Sequence, residues 1–182
     1  MRANIMKWLE AIRNEVDSLV DKTAIERKSP AEARQFLKDH PLAQIYPGKG
    51  VFVEKRTGKL KARGVICGNY VDKNGAEATY TEQVDATAVR IVLRLGALEQ
   101  MEICGTDVST AFLNADLSQE DLERGILCRA PSLFAEAGVT QRGEVWLVKK
   151  ALYGLRQSPR CWGQHRDQYL KQFRAVDPTL VN

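Results

Sequence analysis

Asp107 closes the run MEICGTD and is followed at once by the small-residue segment VSTAFLNADL, residues 108–117. An aspartate at the C-terminal end of a buried strand, with a helix starting just beyond it, sets a hard oxygen ligand beside free backbone N–H groups. That arrangement suits a divalent cation and a phosphate held together. Two-metal phosphoryl transfer asks for more, because several carboxylates must converge on ions about 3.5–4 Å apart. The nearest acids, Asp116, Glu120, Asp121 and Glu123, lie in a polar run that reads as solvated surface. Taken alone, Asp107 reads as a strand-end or capping residue.

The second concentration of chemistry is cationic. VFVEKRTGKLKARGVIC, residues 51–67, reads as two strands joined by a turn at Thr57-Gly58. Lys61 and Arg63 are two apart and share one face of the second strand, while Lys55 and Arg56 end the first. The cluster suits either a solvated edge that resists sheet-to-sheet association or a phosphate-binding patch of lysine point charges and arginine forks. Composition does not separate the two.

These residues need elements to hold them. Ile5, Trp8, Leu9, Ile12, Val16, Leu19 and Val20 recur at helical spacing, with Lys7, Glu10, Arg13, Glu15 and Asp17 on the other face. Ser29 as N-cap and Pro30 at the first position start a second helix over 30–39. PLAQIYPGKG breaks the pattern ahead of the hairpin, and DKNGAE, residues 72–77, reads as a polar turn after it. Residues 84–98 form an apolar helix with Arg90 and Arg94 on one face, 100–106 a short strand, and 108 onward a helix of small residues. A loop then runs to 143, followed by the strand EVWLVKK and the segment ALYGLRQSPR. The last helix carries Trp162, Tyr169, Leu170 and Phe173 on one face, with Ser158 as N-cap and Pro159 in its first turn.

Over 182 residues, 44% hydrophobic and 27% charged residues describe a soluble globular domain rather than a disordered or membrane chain. The N-terminus lacks the pattern of a signal peptide, which gives an intracellular location as the expectation, with cytoplasmic particle and nucleus not distinguished. Cys67, Cys104, Cys128 and Cys161 are far apart, as are His40 and His165, so neither a zinc site nor a disulfide framework is expected. A net charge of +4 permits a polyanionic partner without requiring one.

In order along the chain, WLEAIRNE (8–15), KARGV (61–65), DVSTAFLNADL (107–117) and KKALYGLRQSPRCW (149–162) resemble the reverse transcriptase of copia-type LTR retrotransposons. The resemblance covers nearly the whole chain. It implies that Asp107 is the first catalytic, metal-binding aspartate of a polymerase palm, and that Phe112 is the aromatic gate under the nucleotide sugar. A rigid ring there would exclude a ribose 2′-OH by contact. It further implies that Lys55, Lys61 and Arg63 grip the triphosphate, with either Lys61 or Arg63 in the leading role. Tyr153 and Gly154 would back the nucleotide, and Arg156, Gln157, Ser158 and Pro159 would contact template or primer.

The implied fold is α+β, an incomplete right-hand polymerase. Residues 1–46 would form an N-terminal helical segment, 47–100 a fingers-like hairpin and helix, and 101–182 a partial palm whose antiparallel sheet is backed by helices. Family members carry an aromatic-x-Asp-Asp signature after the helix that reaches Phe173, and no such signature occurs within the 182 residues. The expectation is a fragment inactive in isolation, with Mg²⁺ or Mn²⁺, template-primer and deoxynucleotide engaged only by the complete enzyme. A polyprotein with integrase upstream and the remaining palm and ribonuclease H downstream is implied as its context, without membrane attachment. A non-catalytic nucleic-acid-binding remnant, or a domesticated interaction domain, is the alternative. Two departures, TEQVDATAVR after residue 80 and Gly64 in place of an aliphatic residue, hint at a diverged copy, since glycine weakens a strand by about 0.5–1 kcal/mol relative to alanine.

Overall fold

The amphipathic N-terminus folds as a 3₁₀ segment, Arg2–Trp8, running into helix α1, Leu9–Asp21, in the computed structural model, which describes residues 2–70, 84–105 and 107–176. Ile12, Val16 and Leu19 form the buried stripe. Strand β1, Ile25–Lys28, follows, and helix α2, Pro30–Asp39, begins with a capping box in which Ser29 and Glu32 satisfy each other's backbone N–H groups. Strands β2, Gln44–Glu54, and β3, Leu60–Ile66, make the expected hairpin, and Gly58 takes the positive φ of 76° that its turn requires. Helix α3, Ala86–Leu98, helix α4, Gln119–Arg124, strand β4, Ile126–Arg129, helix α5, Ser132–Glu136, strand β5, Val145–Val148, and helix α6, Ser158–Val176, complete the described order.

The chain is mixed α and β, built on a five-stranded sheet in the order β1-β5-β4-β2-β3. All neighbours are antiparallel except β2 and β4, which run parallel from Gln44↔Ile126 to Pro47↔Arg129. β4 and β5 are buried on both faces, as near-continuous apolar sequence demands. Cys128, Trp146 and Val148 join α1 in one core, while Leu127, Val145 and Leu147 face α2 in a second.

One buried carboxylate fastens this sheet. Glu144, only 4% exposed, accepts two hydrogen bonds from Arg27 at 2.8 Å each, one from the Gln141 N–H at 3.0 Å and one from Trp146 Nε1 at 2.9 Å. Burial alone would raise its pKa, but the donors from Arg27, Gln141 and Trp146 outweigh it and hold the carboxyl below the ordinary range.

Several expectations are corrected. PLAQIYPGKG is not a break: from Gln44 onward it is the start of β2, stabilised by the parallel pairing with β4. The loop expected up to 143 contains β4 and α5, and the four-residue β1 carried no periodic signal. Residues 101–105 form no strand and are exposed, and in place of a helix from 108 there is only a 3₁₀ turn, Ala111–Asn114. A strand needs a neighbouring ladder, and no described strand lies beside 101–105. Asp121 is buried at 5%, joined to the Ser118 cap, whereas Asp116, Glu120 and Glu123 are exposed as expected. On α6, Tyr169 and Leu170 are exposed rather than packed. The polar turn at 72–77, residues 177–182 and the side chain of Phe173 lie outside the described residues. Among the described residues no helix is long and apolar enough to cross a membrane.

Gly64 has a packing reason. A Cβ there would meet the Trp146 ring at 3.0 and 3.1 Å, tighter than a side chain tolerates without movement.

Replacing Glu144 with alanine should cost about 2–3 kcal/mol in urea unfolding, because Arg27 and Trp146 lose their acceptor. The depressed carboxyl stabilises the fold above the ordinary carboxylate value of 4.5, and that contribution is lost as pH falls through the lower folded value. The difference between wild type and Glu144→Ala should therefore shrink in acid. A constant difference from pH 7 to pH 3 would contradict this.

Candidate functional site

β3 is an edge strand, and alternation along it sets Ala62, Gly64 and Ile66 inward and Lys61, Arg63 and Val65 on the half-exposed face. Its outer edge is closed by two contacts. The Gly64 N–H donates to Glu15 Oε1 at 2.9 Å, and the Ile66 N–H donates to the Tyr153 carbonyl at 2.8 Å. The turn at 153–154 lies so close to β3 that a Cβ on Gly154, whose φ is 89°, would overlap the Ile66 carbonyl. A Cβ on Gly68 would in turn overlap the Gly154 carbonyl. Glycine is required at 154 both for the dihedral and for the approach.

That seating brings three expected site residues together. Arg63 stacks its guanidinium over the Tyr153 ring, 4.9 Å from the centroid, and Phe112 meets Tyr153 edge-on at 5.6 Å. Phe112 is positioned by the 3₁₀ turn, which packs on α6 and is held by the Ala151 N–H donating to Ala115 O at 2.9 Å and Lys22 Nζ donating to Asn114 Oδ1 at 2.9 Å. Arg63 Nε is buried and has no acceptor among the described residues.

The electrostatics are cationic, with Glu15 at the outer edge of β3. Lys61 has its pKa lowered by burial first and then by Arg63 and Lys55. Tyr153 is raised, chiefly by burial. Glu15 is also raised: burial outweighs the Gly64 N–H and the charges of Arg63 and Lys61. Lys55 sits at the exposed hairpin end, where its N–H donates to Lys59 O.

Other expected residues fall elsewhere. Asp107 is exposed, in irregular backbone three residues ahead of Thr110, which takes a positive φ of 51°. Arg156 is exposed and Pro159 half-buried, but Gln157 and Ser158 are core residues at 8% and 1% exposure. The Ser158 hydroxyl donates to Leu152 O at 2.6 Å, so it anchors the 152–158 turn, and Ser158 is the first residue of α6 rather than a side-chain cap ahead of it. The Mg²⁺ or Mn²⁺ implied by the resemblance takes about six oxygen ligands. Among the described residues no three His, Cys, Asp or Glu side chains come together, and Asp107 offers one. These residues alone do not make up a metal site. A cleft of about 620 Å³ between α2 and α5, rimmed by Arg34, Arg129 and Arg142, contains none of the expected residues.

Glu15 was missed by sequence reasoning, which set it on the solvated face of the first helix. The signal was present: it lies three residues after Ile12 and four before Leu19, on the margin of the buried stripe.

Residues 36–181 match the family model described as reverse transcriptase (RNA-dependent DNA polymerase). The chain belongs to that family. Its relatives include the retrovirus-related Pol polyprotein from transposon TNT 1-94 of Nicotiana tabacum, 35% identical over 68% of this chain and 9% of the polyprotein. The polyproteins from transposons RE2 and RE1 of Arabidopsis thaliana are 25% and 31% identical over 90% and 62% of the chain, and 11% and 7% of their own lengths. The copia-type retrotransposon resemblance read from the motifs is thereby supported, and the chain spans about a tenth of the length of these relatives.

Gly154→Ala should destabilise the chain by about 2 kcal/mol or more, since the left-handed backbone and the β3 contact both resist a Cβ. Thermal unfolding checks it; a melting temperature equal to wild type would show that the turn is not seated on β3.

Proposed function

We propose that this chain forms the nucleotide-receiving part of an RNA-directed DNA polymerase of the right-hand type, with β2 and β3 as the fingers hairpin and the segments around residues 107–117 and 149–162 as the first part of the palm. The observation that carries this reading is the meeting of Arg63, Tyr153 and Phe112, with Lys61 beside Arg63 on one strand face. Cations for a polyphosphate and rings for a nucleoside then lie within one reach of each other.

In this reading Lys61 and Arg63 bind the triphosphate and Lys55 adds long-range attraction from the hairpin end. Arg63 is held ready by the Tyr153 face. Phe112, braced by Tyr153, limits what fits beside the sugar. Asp107 contributes one carboxylate to a centre whose Asp-Asp pair lies outside these 182 residues. Template and primer run past Arg156, and the chain works as one section of a Pol polyprotein.

Calorimetry should show deoxynucleoside triphosphate binding that falls at least roughly tenfold on Lys61→Ala with Arg63→Ala. Unchanged affinity in a folded double variant would sink the reading. Primer extension should be absent from the 182-residue chain and appear once sequence carrying the Asp-Asp signature is joined to it. In that longer enzyme Asp107→Ala should abolish extension, and Phe112→Ala should relax discrimination against ribonucleotides by roughly 10- to 100-fold. Template-dependent incorporation by residues 1–182 alone would contradict the assignment.

A further inference from the structure

Glu15 is placed too specifically to be a solvated helix residue. Glu15 reaches from α1 to the outer edge of β3 and accepts the Gly64 N–H at 2.9 Å. Gly64 directly follows Arg63, so the carboxylate is fixed beside the backbone that carries the basic pair. Its charge acts on both Arg63 and Lys61 and extends to Tyr153. No ion pair within 4 Å joins Glu15 to either cation among the described residues, so both cations stay free to meet a ligand while feeling the acid through space. Toward the hairpin end Lys61 feels the further cations Lys55 and Lys59, with Glu54 on the neighbouring strand opposite Leu60.

We propose that Glu15 is the built-in counter-anion and positioning residue of the Lys61–Arg63 pair: it fixes the β3 edge through Gly64 and tempers the affinity of the pair for polyphosphate. The two roles use different properties of one side chain. The hydrogen bond needs only an acceptor oxygen at glutamate length, whereas the tempering needs the negative charge. Without ligand, the carboxylate offsets the mutual repulsion of Lys55, Lys61 and Arg63. When a polyphosphate arrives it meets the same carboxylate as a like charge, which makes the bound anion easier to release.

This rests on the reading of Lys61 and Arg63 as a phosphate-binding pair, and two substitutions separate the parts. Glu15→Gln keeps an acceptor for Gly64 and removes the charge; Glu15→Asp keeps the charge and shortens the reach. Binding of inorganic tripolyphosphate to the 182-residue chain, measured by calorimetry at pH 7.5 and low salt, should tighten roughly three- to tenfold in Glu15→Gln. Glu15→Asp should stay within twofold of wild type while amide exchange at Gly64 speeds up, and Glu15→Gln should leave that exchange unchanged. Unaltered or weaker tripolyphosphate binding by Glu15→Gln, or tightening by Glu15→Asp, would overturn the proposal. If binding is lost in Lys61→Ala with Arg63→Ala, such a result counts against Glu15 alone; if that double variant binds like wild type, the phosphate reading fails and the Glu15 role with it.

Discussion

Two N–H groups on the outer edge of β3, those of Gly64 and Ile66, must find acceptors away from β2, and the acceptors they find arrange the site. Glu15 takes the first and the Tyr153 carbonyl takes the second. An edge strand left open costs hydrogen bonds and invites association with other chains. Closing it with a helix side chain and a turn carbonyl solves that problem and brings α1 and the 151–157 segment to the same strand. Tyr153 can then lie against Arg63 only because Gly154 has no Cβ to hold the turn off.

The rest of the fold serves that closure from a distance. β4 and β5, buried on both faces, give β2 a rigid neighbour, and Glu144 locks β1 and β5 to the 139–144 turn through Arg27 and Trp146. Trp146 also packs against Gly64, so the buried polar hub and the edge of the basic strand share one aromatic ring. The glycine that looked like a weakness in the strand is the space that ring occupies. By contrast α3 is apolar yet exposed along Val89, Ile91, Val92, Leu95 and Leu98, and only Gly96 is buried, against Ile103.

Legibility in the sequence followed the range of the forces involved. The first helix, the Ser29 N-cap and the β2–β3 hairpin are written in local periodicity and turn chemistry, and they were readable. β1 and β4 are four residues each and owe their existence to pairing with distant strands, which no local pattern records. The strand foreseen at 100–106 had suitable residues but no described partner. Of the site, spacing set Lys61 and Arg63 on one strand face, the family resemblance singled out Tyr153, Gly154 and Phe112, and the structure adds that Arg63, Tyr153 and Phe112 touch. Gln157 and Ser158 lie in the core, a depth that sequence did not disclose because a polar residue inside a turn looks there like a polar residue at the surface. Glu15 was hidden for the opposite reason, being charged on a helix whose exposed face is charged throughout.

The account stands or falls on the seating of the 153–154 turn on β3, and amide hydrogen exchange at Ile66 reads it directly. If the Tyr153 carbonyl accepts this outward N–H, Ile66 should be protected to the same degree as Val65, which faces β2, even though β3 is the last strand of the sheet. Exchange of Ile66 at the rate of an open edge, with Val65 still protected, would show that the turn is not docked and that Arg63, Tyr153 and Phe112 do not form one site.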